Sequence, residues 1–162
     1  MLVATASFAQ QDKSKRPSPP DSVVITTNSG LDLRIDYSKP SLKGRTLGVD
    51  VAPIGKVWRT GANETTIFEI KQDALVEGKP LPAGKYGLFS IPGETETVVI
   101  FSKVWDQWGT RYDEKQDALR VTVPTVLQAA SVEQFTIQAQ ADGKVRLLWG
   151  TAAVPFTIVA AP

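Results

Sequence analysis

The fold is decided by the stretch Ser22-Val23-Val24-Ile25-Thr26-Thr27-Asn28-Ser29-Gly30-Leu31-Asp32-Leu33-Arg34-Ile35-Asp36-Tyr37. Its second half alternates apolar and polar residues, which is typical of a strand with one buried and one solvated face. Its first half is rich in β-branched residues, and Asn28-Ser29-Gly30 is typical of a tight turn. We therefore predict a β-hairpin between Ser22–Thr27 and Leu31–Tyr37.

Short strand patterns separated by turns continue to the end of the chain. We expect single helical turns at Gln116–Leu119 and Val126–Ala130, because no longer window keeps a helical period. Pro155 restricts the last strand to a sheet edge or a bulge. Further strands are predicted at Thr65–Lys71, Ala74–Val76, Lys85–Ile91, Thr95–Phe101, Ala118–Val123, Glu133–Ala139, Lys144–Trp149 and Thr151–Val159.

About nine or ten short strands in roughly 140 residues predict an all-β protein, an antiparallel β-sandwich. Among the sandwiches, we expect a jelly-roll-like arrangement of two four-stranded sheets. The sequence shows no repeat of 20–50 residues, and this argues against a propeller or a solenoid.

The composition excludes several classes of function. The chain has 162 residues, no Cys and no His, and a net charge of +1. Without His or Cys there is no Ser-His-Asp or Cys-His nucleophile, no iron–sulfur cluster and no disulfide framework. The balanced charge gives no reason to expect a nucleic acid as partner. We expect no cofactor and no metal, and only carboxylate, Lys or Tyr chemistry remains for an enzyme.

The amino-terminal residues predict export. Met1–Ala9 is uncharged and mostly apolar, and small residues stand at the −3 and −1 positions of a cut after Ala9. We interpret it as the remnant of a secretory signal peptide that lacks its basic start; a chance apolar start is the alternative. Nine residues are too few to span a membrane, and no later stretch reaches 18 apolar residues, so we expect no stable membrane insertion.

The rest of the chain divides into a linker and a single domain. Residues 10–20 are rich in Pro, Lys and Ser, a composition typical of a flexible linker. The folded domain is predicted over residues 21–160. With the export pattern, this organisation predicts a periplasmic or secreted protein.

Three segments carry a family resemblance: Tyr37–Arg45, Gly55–Thr65 and Leu81–Pro92. Together they resemble domain-of-unknown-function family 2911, a group of exported bacterial proteins, and Trp105, Trp108-Gly109 and Leu119-Arg120-Val121 also fit. The resemblance covers about Ser22 to Ile158. It implies a secreted or periplasmic β-sandwich and supplies no catalytic residues.

The candidate binding site is the block Lys56–Glu64, which mixes side chains typical of polar sites. Arg59 has the fork geometry that binds a carboxylate or phosphate, and Trp58 is suited to stack on a sugar ring. Asn63 and Glu64 are suited to orient hydroxyl groups.

A structural interpretation of the same block stands beside this one. Arg59 or Arg45 would then pair with Glu64 or Asp50 inside a crossover loop. Trp58 would fill the core, and Gly61 would adopt a positive φ.

Two further regions add candidate residues. Arg45, in the broken connection Tyr37–Arg45, extends the site into a basic patch for an acidic ligand; a solvated loop is the alternative. Trp105 and Trp108 are expected to form a stacking platform or to cover one end of the sandwich.

We therefore predict a non-catalytic binding or structural module of the bacterial cell envelope, with a carbohydrate or a peptide as ligand. The first alternative is a carboxylate-based hydrolase acting on glycans, with Glu64 as acid or base. The second is a scaffold that pairs through an edge strand such as Thr151–Val159. No oligomeric state is predicted.

Overall fold

The predicted amino-terminal hairpin is present in the structure, a computed structural model that describes residues 12–162. Strand β1 (Pro20–Thr26) pairs antiparallel with β2 (Asp32–Ser38), and Val23 lies opposite Ile35. The turn uses Gly30 at φ 87°, a left-handed conformation that glycine adopts without strain. The alternation along β2 buries its apolar residues as expected.

Eight more strands follow in the described chain, and short 3₁₀ helices lie at Lys13–Lys15 and Glu114–Gln116. The strands are β3 (Thr66–Ile70), β4 (Ala74–Val76), β5 (Lys79–Leu81), β6 (Gly84–Ile91), β7 (Glu96–Ser102), β8 (Asp117–Pro124), β9 (Val126–Ala139) and β10 (Lys144–Ala160).

These strands form two antiparallel sheets, so the predicted all-β sandwich is confirmed. One sheet has the order β1-β2-β3-β6-β7-β8 and the other the order β5-β4-β10-β9. The expected even division into two four-stranded sheets is wrong, because the sheets have six and four strands. Chain neighbours such as β1, β2 and β3 pair within one sheet, so the order is mainly that of meanders rather than of a jelly roll.

Strand β10 bends back on itself. The N–H of Ile158 donates to the carbonyl of Gly143 at 2.9 Å. A straight strand would carry these two residues about 50 Å apart, so the chain must reverse between them. Gly150, at φ 56°, lies between two shifts of register in the pairing with β9 and supplies the bend.

The expectation of an edge strand at Thr151–Val159 is wrong. This segment is continuous with Lys144–Trp149 in β10 and pairs with β9 as far as Ala153 and with β4 from Ile158. Pro155 lies between these two paired stretches, where its missing N–H breaks no ladder pair. Pro155 thus marks an interruption of strand pairing, as the sequence predicted. The interruption lies inside β10, a strand between β4 and β9, and not at a sheet edge.

The expected helical turn at Val126–Ala130 is also wrong, because these residues begin β9. Short apolar runs fit a helix and a strand equally well, and pairing with β10 decides between them. The turn expected at Gln116–Leu119 ends at Gln116, and β8 begins at Asp117.

The core lies between the sheets, and a long loop covers one part of it. Phe68 of β3 packs against Phe101 of β7 with ring centroids 5.0 Å apart and faces Phe156 of β10 at 6.2 Å. Residues 39–65, here called the long loop, connect β2 to β3. Isolated bridges from Ser41 to Gln134 and from Trp58 to Ser90 attach this loop to both sheets.

Candidate functional site

Trp58 fixes the centre of the long loop. Its backbone exchanges two hydrogen bonds with Ser90 of β6, of 2.7 and 2.9 Å. Its indole stacks on Trp149 of β10, with centroids 5.4 Å apart and planes 20° apart, and meets the edge of Phe135 at 4.9 Å. Because Trp149 covers one face of the indole, Trp58 has the contacts of a core side chain rather than of an open stacking platform.

The chain after Trp58 has an unusual backbone. Thr60 and Asn63 adopt φ of 49° and 61°, a region that costs residues with a side chain of order 1 kcal/mol or more. Gly61 has φ 153°, and a Cβ there would lie 2.7 Å from the hydroxyl oxygen of Thr66. The hydroxyl of Thr66 donates to the carbonyl of Thr60 at 2.7 Å and holds the turn. The expected positive φ at Gly61 is confirmed.

The expected ion pairs of Arg59 and Arg45 are wrong. Arg59 donates to the carbonyl of Asn63 at 3.3 Å, and its guanidinium carbon lies 6.0 Å from the ring centre of Trp108. Arg45 donates to two carbonyls, those of Leu42 at 2.9 Å and Ser41 at 2.7 Å. Within residues 12–162, neither arginine forms a salt bridge. Burial lowers the pKa of the Arg59 guanidinium.

Glu64 is paired with the residues before β1. One guanidinium nitrogen of Arg16 lies 2.9 Å from both carboxylate oxygens, and the ammonium of Lys13 lies 3.3 Å from one. Burial by itself would raise the pKa of Glu64, but the hydrogen bonds from Arg16 and Lys13 outweigh it, and the pKa is lowered. Asn63 donates its side-chain amide to the carbonyl of Ser18 at 3.2 Å.

Residues 12–19, here called the strap, therefore contact the candidate site, although their composition predicted a linker. Lys13 and Arg16 of the strap form ion pairs with Glu64, and the carbonyl of Ser18 accepts a hydrogen bond from Asn63. The expected signal-peptide remnant, residues 1–9, lies outside the described residues.

Only one of the two candidate tryptophans of the Trp105–Asp113 loop joins the group. Trp108 forms an isolated bridge with Glu64, and its side chain is 46% exposed beside Arg59. Trp105 lies instead under Lys85 of β6, whose ammonium is 4.7 Å from its ring centre. The structure thus brings Trp58, Arg59, Asn63, Glu64 and Trp108 into one neighbourhood.

Trp58 lines three cavities beside this neighbourhood, and the third, of about 370 Å³, is also lined by Arg59, Gly109 and Tyr112. The first, here called the apolar cleft, has a volume of about 200 Å³. Its lining is mainly hydrophobic and includes Trp58, Phe135, Leu147, Trp149, Ala152 and Val154. The second, here called the arginine pocket, has a volume of about 260 Å³ and is lined in part by Arg45, Arg59, Gly61, Ala62 and Ser18. Arg45, predicted as a neighbour of the Trp58 block, therefore shares a cavity with it.

The apolar cleft was missed by the sequence reasoning. Its walls come from the long loop, the β6–β7 turn, β9 and β10, so no local pattern reports it. The sequence shows only that Leu127 stands in an uncharged run after Pro124. The structure places Leu127 at the cleft with its side chain 83% exposed.

A polar cluster at the other end of the Trp105–Asp113 loop was also missed. The hydroxyl of Tyr112 donates to Asp117 at 2.7 Å, and Arg120 donates to the same carboxylate at 2.6 Å. Burial and the hydrogen bond to Asp117 raise the pKa of Tyr112 to about 12. The cluster anchors the loop to β8.

The described residues hold no group of three or more His, Cys, Asp or Glu side chains placed to bind a metal ion. They also hold no helix long and apolar enough to cross a membrane. The geometry offers a hydrophobic cavity and a cationic one, and Glu64 is neutralised by two cations.

Comparison with known proteins gives a family match. A family model described as "Protein of unknown function (DUF2911)" matches residues 18–158. No curated protein and no solved structure matches the chain.

Proposed function

The chain belongs to the DUF2911 family of proteins of unknown function, and from that premise we propose that it is a non-catalytic binding module of the bacterial cell envelope. Its ligand is a peptide that inserts one apolar side chain into the apolar cleft. The observation that carries the proposal is the cleft itself, a concave hydrophobic cavity at the junction of the two sheets.

The size of the cleft supports a single side chain as its occupant. Its volume is about 200 Å³, whereas apolar cavities of about 150 Å³ bind benzene. Drug-sized ligands need about 300 Å³ or more. One leucine or phenylalanine side chain of a longer ligand therefore fits the space.

The rim supports a peptide over a carbohydrate. Ile54 and Leu127 line the cleft and are 48% and 83% exposed, and the neighbouring Val126 is 44% exposed. Exposed apolar residues around a cavity favour an apolar partner surface. A sugar needs an open aromatic face, and Trp149 covers one face of Trp58.

Export to the envelope rests on different observations. The apolar start of the chain, with small residues before Gln10, is typical of the end of a signal peptide. Cell fractionation with an epitope at the carboxyl terminus tests this part. We expect the protein in the periplasmic or extracellular fraction, and recovery in the cytoplasm would contradict export.

The two alternatives have less support. A glycan hydrolase needs a carboxylic acid with a raised pKa, and the pKa of Glu64 is lowered by its partners Arg16 and Lys13. A scaffold pairing through Thr151–Val159 needs a free edge, and that segment pairs with β9 and β4.

Nuclear magnetic resonance tests the proposal directly, because the chain has four tryptophans and thus four indole N–H signals. The probes are blocked tripeptides of the form Gly-Xaa-Gly in which Xaa is Leu, Phe or Ser. We expect the Leu and Phe peptides to shift the signals of Trp58 and Trp149 saturably. The Ser peptide is expected to leave all four signals unchanged.

A matched pair of variants separates the cleft from general hydrophobicity. Ala152→Phe fills the cleft, whereas Thr151→Phe adds the same ring at an exposed neighbouring position of β10 that does not line it. We expect only Ala152→Phe to abolish the response. If that variant does not fold, Leu127→Asp at the exposed rim replaces it. An unchanged response in both variants, or none in the wild type, contradicts the proposal.

A further inference from the structure

We propose that the arginine pocket is a second binding site, independent of the apolar cleft, and that it takes a small oxyanion, the phosphate or carboxylate group of a soluble molecule. The site consists of Arg59, Arg45 and the backbone amides of Gly61 and Ala62, all of which line the pocket. None of the observations that support it involves the apolar cleft.

The first observation is the uncompensated charge of the two arginines that line the pocket. A guanidinium has five N–H donors, and Arg59 uses one of them in a long bond of 3.3 Å to Asn63. Arg45 bonds only to main-chain carbonyls, which carry no full charge. A half-buried guanidinium without a carboxylate partner is suited to bind an anion in forked geometry.

The nearby carboxylates do not supply the missing charge. Glu64 follows Asn63 in the chain, but it is bound by Arg16 and Lys13. Asp50 accepts the backbone N–H of Thr46 at 2.8 Å. Lys13 and Arg16 are thus paired with Glu64, whereas Arg45 and Arg59 have no salt-bridge partner within residues 12–162.

The second observation is a run of unpartnered backbone donors. Thr60, Gly61 and Ala62 are buried, and their N–H groups donate to no acceptor within residues 12–162. Buried N–H groups nearly always have a partner. Gly61 and Ala62 line the arginine pocket, and amides in turns with left-handed residues form concave sites for anions. An oxyanion there satisfies the amides and neutralises the arginines together.

An anion site would also account for the left-handed backbone conformations of Thr60 and Asn63. They cost free energy in the folded chain, and strain of this kind concentrates at binding sites. The close approach of Gly61 to Ser38 and Thr66 shows that the neighbouring strands hold the turn in place. The donors are thus preorganised.

The test is titration of the isotope-labelled protein with sodium phosphate or sodium acetate, against sodium chloride at the same ionic strength. We expect saturable shifts of the backbone amides of Gly61 and Ala62 and of the Nε–H of Arg59. Loss of one charge-assisted contact in Arg59→Gln should weaken the affinity by about tenfold. Arg111→Gln removes an exposed arginine of the next loop and should change nothing.

Several outcomes decide the proposal. Arg59→Lys keeps the charge but not the fork, so an intermediate affinity supports the site. If Arg59→Gln does not fold, Arg45→Gln gives the same measurement. Equal shifts in chloride, or an unchanged affinity in Arg59→Gln, overturn the proposal. Binding to phosphatidylglycerol vesicles without binding to free phosphate also overturns it, because the source is then a membrane. A retained tripeptide response in Arg59→Gln keeps the two sites distinct.

Discussion

Trp58 of the long loop lies face to face with Trp149 of β10, their ring centroids 5.4 Å apart. Since the backbone of Trp58 is bonded to Ser90 in the six-stranded sheet and its indole packs on the four-stranded sheet, this residue joins the two layers. It also lines both the apolar cleft and the arginine pocket. The shape of either cavity therefore depends on closure of the sandwich at this point.

Trp58→Ala is expected to lower the free energy of unfolding by about 3 kcal/mol, the lower end of the cost of removing a buried aromatic ring. The loss removes contacts with Trp149 and Phe135. Urea unfolding followed by far-ultraviolet circular dichroism measures it. Trp108→Ala is the control, because Trp108 is 46% exposed, and it should cost less than about 1 kcal/mol. Equal costs for the two variants would show that Trp58 is not part of the core.

Glu64→Gln is expected to destabilise the protein only at neutral pH, by less than about 1 kcal/mol, because partly exposed ion pairs are screened by solvent. The pKa of Glu64 is lowered from its ordinary 4.5 when the chain folds. Its ionised form therefore contributes stability above pH 4.5, and this is lost as pH falls through the folded value. Urea unfolding at pH 7 and pH 3 tests the sign. A difference from wild type that persists undiminished at pH 3 would contradict it.

Sequence patterns predicted individual strands and the amino-terminal hairpin, because that information is local, but not how the strands divide between the two sheets. The alternation in Leu31–Tyr37 predicted a strand with one buried face, and the turn residues predicted its hairpin. The bend of β10 was not predictable, because it depends on contact between Gly143 and Ile158 across the fold. Pro155 predicted an interruption of strand pairing. Its position inside a central strand was not predictable from the sequence.

The candidate site was predicted only in part for the same reason. Arg59, Asn63 and Glu64 are neighbours in the chain, so their proximity followed from the sequence. The partner of Glu64 is Arg16, 48 residues earlier, in a segment whose composition is typical of a linker. The sequence offers many basic residues that could pair with Glu64. The packing of the strap on the long loop determines that Arg16 does so.

The three tyrosines are expected to ionise late in the folded protein. Burial raises the pKa of Tyr37 to about 12, and burial followed by the hydrogen bond to Asp117 raises that of Tyr112 to about 12. Burial also raises the pKa of Tyr86. Protonated tyrosines thus contribute stability that is complete below pH 10.0 and is lost as pH rises toward 12.

Absorbance at 295 nm during an alkaline titration checks this expectation. The folded protein should form little tyrosinate at pH 10, whereas the protein in urea should be half ionised near that pH. Tyr112→Phe should remove one late-titrating group without exposing the others. If one third of the tyrosinate absorbance appeared near pH 10 in the folded protein, one of the three tyrosines would have an ordinary pKa, and the expectation would be wrong for that residue.

Gly109→Ala is expected to lower stability by about 1–3 kcal/mol through overpacking and to weaken phosphate binding. A Cβ at Gly109 would lie 2.5 Å from Cδ and 2.9 Å from Cβ of Arg59, and 3.0 Å from the carbonyl oxygen of Asn63. The methyl group must therefore displace the side chain of Arg59, a residue that lines the arginine pocket. Thr110→Ala, at the exposed neighbouring position, should leave both properties unchanged.

A double-mutant cycle distinguishes displacement of Arg59 from a general effect on the loop. In the Arg59→Ala background the flexible part of the clashing side chain is absent, so the stability cost of Gly109→Ala should become smaller. Unfolding in urea gives the coupling energy, and phosphate titration of the single variants gives the effect on binding. Strictly additive stability costs would show that Gly109 acts on the backbone of Asn63 rather than on Arg59.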